Sequence, residues 1–391
     1  MQASRRSQVP GFEVMSILAR IDQLRADGRD IISLTAGEPG SGAPPAVNAA
    51  AAALHAEDTV LNYSPALGIR PLRAAIAEHY RSWYGVEVPV ERVAVTTGSS
   101  GAFMLSFLAA FDHGDRVALA RPGYPAYRNI LASLGVDVVD LDCGPAVRFQ
   151  PTPEQLDAEV AANGPIRGLV LASPANPTGT MVGRDQLTAL VDWCARHHVQ
   201  LISDEIYHGI TYEQQGVSAL QVSDDAAVVS SFSKYWGMPG WRLGWSVLPQ
   251  YLVDPVSRLA SNVALCPPHG SQLAAVEAFA PGSYEFAQAQ LPDYAAARQL
   301  VLEALPDIGW DQAAPADGAF YVYAHIGQHV EHYGDAASYC TALLEQAGVA
   351  VVPGTDFDPV SGGEWVRLSL APGSAAVAEG LERIRRFHRR Q

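Results

Sequence analysis

Ser-Phe-Ser-Lys-Tyr-Trp-Gly-Met-Pro-Gly-Trp-Arg-Leu-Gly, residues 231–244, holds Lys234, the only lysine among 391 residues; the other 25 of the 26 basic residues are arginine. Arginine keeps its proton at any physiological pH. A lysine amine loses its proton readily when buried and can then condense with a carbonyl to form a Schiff base. The neighbours of Lys234 are apolar, aromatic or glycine, which weighs for a covalent role and against a solvated surface ammonium. Runs that read as strands, 227–230 and 242–247, flank the stretch, so the lysine stands on a connection beyond a strand end.

Working outward, further strands are expected over 93–97, 116–120, 136–141, 168–172 and 200–203, with helices near 99–110, 124–134, 153–162, 184–197 and 249–262. Near-continuous apolar strands alternating with helices predict an α/β fold, a seven-stranded and mostly parallel sheet covered on both faces. A helix is expected over 11–28. Beyond residue 285 the pattern turns to longer helices with strands near 319–323, 349–352 and 364–370. The expected division is an N-terminal arm with part of a small domain (1–45), a large domain (46–284) and a C-terminal small domain (285–391), the small domain being α+β.

Composition narrows the function. The chain is 48% hydrophobic and 17% charged, and its net charge of −15 opposes nucleic acid and anionic membranes as partners. The five arginines between 383 and 390 read as the polar face of a last helix. Cys143, Cys194, Cys266 and Cys340 show no metal-ligand spacing, and neither do the eleven histidines. No apolar run is long enough to span a bilayer, and Met-Gln-Ala-Ser-Arg-Arg leads into no signal core, so a cytoplasmic protein is expected.

Ligand sites in such sheets form at the C-terminal ends of the strands, and five strand ends carry unusual residues. Thr97-Gly98-Ser99-Ser100-Gly101 opens a helix, where close backbone approach and a helix N-terminus suit an anion; a plain strand-to-helix turn likes the same residues. The stretch lacks a P-loop lysine and the third glycine of a dinucleotide fingerprint. Ser231 and Arg242 are candidates to complete a phosphate cup. Asp204, in Asp204-Glu205-Ile206-Tyr207, either caps a helix or pairs with a pyridinium nitrogen, with Tyr207 close enough to reach an oxygen on the same ring. Asn176, in Pro-Ala-Asn-Pro-Thr-Gly, is by itself a turn signal, and Tyr124 is either a packing aromatic or a plate for a flat ring.

Together these residues resemble the class I/II aminotransferases of the fold-type I pyridoxal-phosphate family, over almost the whole chain from Gly37-Glu38-Pro39 to Val366-Arg367-Leu368-Ser369. The resemblance implies pyridoxal 5'-phosphate as cofactor, with Lys234 as its covalent anchor and proton carrier. It implies Asp204 as the ring-nitrogen partner, Tyr207 and Asn176 on the ring oxygen, and Tyr124 as the stacking plate. Ser99, Ser100, Ser231 and Arg242 become phosphate ligands, and Tyr63 reaches the phosphate of a neighbouring subunit in a homodimer with shared sites. Arg367, helped by Asn176 and the Gly37 backbone, holds the substrate carboxylate, for which a planar guanidinium fork is suited.

The implied reaction is a ping-pong transfer of an amino group from an L-amino acid to a 2-oxo acid. Dicarboxylate-specific relatives place an extra cation near the phosphate loop or on the partner subunit. Ser100 and Ser261-Asn262-Val263-Ala264 offer none, which favours neutral or aromatic donors with glutamate and 2-oxoglutarate still possible as one pair. A lyase or cyclase, such as a carbon–sulfur β-lyase, uses the same residues and stays open. A non-catalytic sensor of this fold is disfavoured by the net acidity, and a nicotinamide enzyme by the missing Gly-x-Gly-x-x-Gly. His208 and His269 are read as structural.

Overall fold

The computed structural model describes residues 2–390. A short strand, β1 (Ile32–Ser33), precedes seven strands that form one sheet: β2 (Val93–Thr96), β3 (Arg116–Arg121), β4 (Asp137–Asp142), β5 (Gly168–Ala172), β6 (Gln200–Asp204), β7 (Ala227–Ser231) and β8 (Gly244–Val247). Their spatial order is β2-β8-β7-β6-β5-β3-β4, with β8 antiparallel to both neighbours and the rest pointing one way. All seven expected strands form, to within two residues at each end. The α/β expectation therefore holds.

Alternation along the strands explains why both faces read as apolar. Leu169, Leu201 and Val228 enter one core with Leu190, Trp193 and Trp245, while their neighbours Val170, Ile202 and Val229 enter a second core with Phe103, Phe107 and Leu131. Helix Arg184–His197 covers the first face; helices Gly98–Ala110 and Pro125–Leu134 cover the second. Gly135 ends the last of these in the left-handed region (φ 81°), where a glycine carries no Cβ penalty.

The later strands, β9 (Gln312–Ala313), β10 (Tyr321–His325), β11 (Val349–Ala350), β12 (Val352–Pro353) and β13 (Trp365–Ser369), serve two smaller sheets. One has the order β12-β13-β10-β9, and the other pairs β1 with β11 in parallel. The single strand expected over 349–352 is thus two, because the chain leaves one sheet after Ala350 and joins another at Val352. The expected strand start at Arg242 moves to Gly244. Arg242 itself adopts a left-handed conformation (φ 52°) that ends a short 3-10 turn.

Gly244 is where sheet and site meet. A Cβ there would lie 2.6 Å from both the Gly98 carbonyl carbon and the Ser99 amide nitrogen. No side chain can move aside to relieve that contact, so the backbone at the mouth of helix Gly98–Ala110 would have to shift. Gly244→Ala is expected to cost about 2–3 kcal/mol in chemical denaturation and to weaken phosphate-ester binding in the same protein. Unchanged stability and affinity would show that these two segments are not in contact.

Candidate active site

The loops at the C-terminal ends of the strands enclose a cavity of about 440 Å³. Ser99 and Ser100 reach it from the turn after β2, Tyr124 after β3, Asn176 after β5, Asp204 and Tyr207 at the end of β6, and Lys234 after β7. Gly37 follows β1 and Arg367 lies on β13, so residues more than 300 positions apart in sequence close the same space.

Asp204 lies at the buried end of a central strand. The Tyr127 hydroxyl donates to its Oδ2, and the Ile206 amide donates to its Oδ1 at 3.0 Å. Burial still wins over these bonds and lifts the carboxyl to about 6. The Lys234 ammonium donates to the Gly37 carbonyl. Burial, aided by the positive Arg367, lowers the amine to about 8, so a usable fraction is neutral near physiological pH. Each shift brings its group toward the range in which proton transfer is efficient.

Arg367 is buried, with its guanidinium 4.4 Å from the Tyr321 ring centroid and 4.7 Å from that of Phe357. Its two terminal nitrogens donate to Asn176 Oδ1 and the Thr35 carbonyl, each at 2.9 Å, while its buried Nε has no partner among the described residues. A buried donor left unpaired carries a desolvation cost that an incoming carboxylate would relieve. Tyr124 stacks on Phe12 at 6.1 Å with planes 9° apart and meets Tyr127 edge-on. Burial raises its hydroxyl to about 12.

Gly98 (φ 67°) leaves room for Arg242, whose Nη2 would be 2.4 Å from a Cβ placed there. The guanidinium thereby sits beside the N-terminus of helix Gly98–Ala110, and Arg242 lines the same cavity as Ser99 and Ser100. Helix dipole, hydroxyls and cation together fit a phosphate group. An aldehyde-reactive amine, a carboxylate able to pair with a ring nitrogen and an anion cradle bordering one cavity fit pyridoxal phosphate.

Two expected ligands stand apart from the cavity wall. Ser231 is buried behind Ser233, its Oγ 2.8 Å from Ser233 Oγ and 2.9 Å from the Leu243 carbonyl, and Ser233 lines the cavity in its place. Tyr63 is 81% exposed and borders a separate open groove. His208 is buried against Tyr84, with Nδ1 2.8 Å from the Tyr84 hydroxyl, and His269 opens helix His269–Ala275; neither lines the cavity. Tyr127 and Tyr321 went unmarked in the sequence, since aromatics beside a strand or in a helix read as core. The spacing Tyr124-x-x-Tyr127 across a helix start was the available signal for the first.

This constellation defines a pyridoxal-phosphate enzyme of the aminotransferase type. Residues 29–384 match the family described as aminotransferase class I and II, and the chain belongs to it. A valine–pyruvate aminotransferase from Mycobacterium tuberculosis is 50% identical over 383 residues, covering 97% of this chain and 96% of the relative. A crystal structure of an aminotransferase from the same organism superposes with a TM-score of 0.95 at 47% identity, over all of both chains. Aspartate aminotransferase from Thermus thermophilus with maleate gives 0.92 at 33% identity, covering 99% of this chain and all of the other. The protein is a pyridoxal-phosphate-dependent enzyme that passes an amino group from an amino acid to a 2-oxo acid. Among the described residues no helix is long and apolar enough to cross a membrane.

The Asp204 shift carries a linkage consequence. Its folded value, about 6, exceeds the ordinary aspartate value of 3.8, so the cofactor-free fold binds the proton more tightly than the unfolded chain. Stability therefore falls as pH rises between those two values and stays lower above them. Cofactor-free Asp204→Asn is expected to exceed the native sequence in stability by about 2 kcal/mol at pH 7.5, with the gain gone near pH 4. Urea denaturation at the two pH values reads this directly. A variant that is less stable at pH 7.5 contradicts it.

Proposed function

We propose that the donor is a neutral L-amino acid, with valine and pyruvate the first pair to test. The observation that carries this is the charge around the cavity: its cations are Lys234, Arg242 and Arg367, which the cofactor aldehyde, its phosphate and the substrate α-carboxylate would each engage. A side-chain carboxylate would find no further cation there, and it would meet Glu38 and Asp356. Phe12, Val14, Met15, Leu18 and Phe103 instead offer apolar contact. The name of the 50%-identical relative supports the same choice. Aromatic donors suit the same lining, and glutamate with 2-oxoglutarate remains a candidate partner pair.

When bound, pyridoxal phosphate supplies an aldehyde and a ring that withdraws electrons. The residues do the rest. Arg367 and Asn176 fix the substrate carboxylate, which sets the bond from Cα to hydrogen in the reacting direction. Lys234 would anchor the cofactor aldehyde and, with its amine free, would carry the Cα proton on Nζ. Asp204 would hold a proton on the ring nitrogen, Tyr207 and Asn176 would bind the ring oxygen, and Tyr124 would cover the ring face. Ser99, Ser100 and Arg242 would receive the phosphate, with Ser231 supporting the cup through its bond to Ser233.

A homodimer belongs to this reading. Val60 (74% exposed), Tyr63 (81%) and Val263 (57%) present apolar surface of the kind that partners cover. Tyr63 would then reach the partner's phosphate. The division into 1–45, 46–284 and 285–391 follows the change from the seven-stranded sheet to the smaller ones. Cytoplasmic residence is consistent with the cysteines, all free.

Incubating the holoenzyme with single amino acids tests the function. Valine should give one equivalent of 2-oxo acid per site and no ammonia, with turnover resuming when pyruvate is added; ammonia release without an acceptor would mark a lyase. Lys234→Arg should lose borohydride-fixed cofactor and at least about a thousandfold in rate. Tyr63→Phe should stay dimeric by sedimentation and bind cofactor about tenfold more weakly. A monomer, or full affinity, argues against a shared site.

A further inference from the structure

Tyr321 opens β10 and is 1% exposed. Its hydroxyl lies 2.8 Å from that of Tyr207, the only hydrogen-bond partner it has among the described residues. Its ring lies against the Arg367 guanidinium at 4.4 Å, and Arg367 in turn donates to Asn176 at 2.9 Å. Asn176, Arg367, Tyr321 and Tyr207 thus form one chain of contacts whose two ends are the residues assigned above to the ring oxygen. Gly37 takes part as well: a Cβ there would lie 3.3 Å from the Tyr321 hydroxyl.

We propose that Tyr321 is a positioning residue that joins the carboxylate clamp to the ring-oxygen pair, donating its hydroxyl proton to Tyr207 so that the Tyr207 proton faces the cofactor. This rests on the assignment of Tyr207 and Asn176 given under the proposed function. Two hydroxyls at hydrogen-bond distance share one proton between them, so fixing the donor fixes where the second proton points. Burial raises both phenols and Arg367 opposes the rise in each; the Arg367 guanidinium lies 4.4 Å from the Tyr321 ring, closer than Lys234 Nζ lies to the Tyr207 ring at 5.8 Å, and so draws charge more strongly from the Tyr321 hydroxyl. The more acidic hydroxyl is the better donor. A Tyr207 that accepts from Tyr321 is also the stronger donor toward the ring oxygen, because hydrogen bonds in a chain polarise one another.

The consequence is readable in the holoenzyme's visible absorbance as a function of pH. A hydrogen bond to the ring oxygen favours the form in which that oxygen is anionic, so weakening the bond raises the titration midpoint. Tyr321→Phe should move the midpoint up by about half a unit. The KM for 2-oxo acid should stay nearly constant, since the ring against Arg367 is kept. Tyr321→Leu should show the same midpoint shift and a KM raised about fivefold through loss of the cation–π contact. In a Tyr207→Phe background, Tyr321→Phe should move the midpoint no further.

An equal shift in both backgrounds, or no shift in either Tyr321 variant, would overturn the proposal. A purely structural role would lower the melting temperature and leave the midpoint in place, which also overturns it. Borohydride fixation at Lys234 in the native holoenzyme serves as the control: label found elsewhere would remove the underlying assignment, and this inference with it.

Discussion

Keeping charge out of water at the end of a parallel sheet is the constraint under which the rest of this molecule is arranged. Asp204, Lys234 and Arg367 would each be cheaper in solvent. Each is held by a contact from another part of the chain: Tyr127 and the Ile206 amide on Asp204, the Gly37 carbonyl on Lys234, Asn176 and the Thr35 carbonyl on Arg367. The partners are enough to hold the charges and not enough to satisfy them. Asp204 still titrates high, Lys234 low, and Arg367 keeps a bare Nε. That shortfall is what a cofactor and a substrate carboxylate would supply, so the site is built for ligands at some cost to the empty fold.

The topology explains how such distant residues meet. The parallel strands around β6 point one way and deliver Tyr124, Asn176, Asp204 and Lys234 to a common edge. The antiparallel β8 runs back between β2 and β7, and its left-handed lead-in at Arg242 sets a cation over the helix that starts at Gly98. Two glycines, 98 and 244, make the close approach possible. Arg367 arrives from a different sheet, and β1 brings Gly37 beside it by pairing with β11. The carboxylate end of the cavity therefore depends on how the smaller sheets sit against the large one.

Much of this was legible in the sequence, and what was not has physical reasons. The seven strands were plain because short, mostly apolar runs end at turn-forming residues such as Gly98, Pro122, Ser173, Asp204 and Pro249. Lys234 stood out by being alone. By contrast, the 349–352 run gave no sign that two sheets divide it, because every residue in it is buried whichever sheet it joins. Tyr321 sits in Gly-Ala-Phe-Tyr-Val-Tyr, where an aromatic looks like packing; only the three-dimensional placement against Arg367 and Tyr207 gives it a polar task. Tyr63 was legible only through the family resemblance, since an exposed tyrosine carries no chemical signal of its own.

The solitary ε-amine also shapes how the protein can be handled. Acylating, cross-linking and surface-coupling reagents that seek primary amines will find, apart from the chain's own α-amine, a single target set in the catalytic cavity. Immobilisation through that lysine would block the cavity, whereas coupling through the α-amine or through carboxylates would leave it open. The same scarcity makes amine titration a direct count of vacant sites in a preparation.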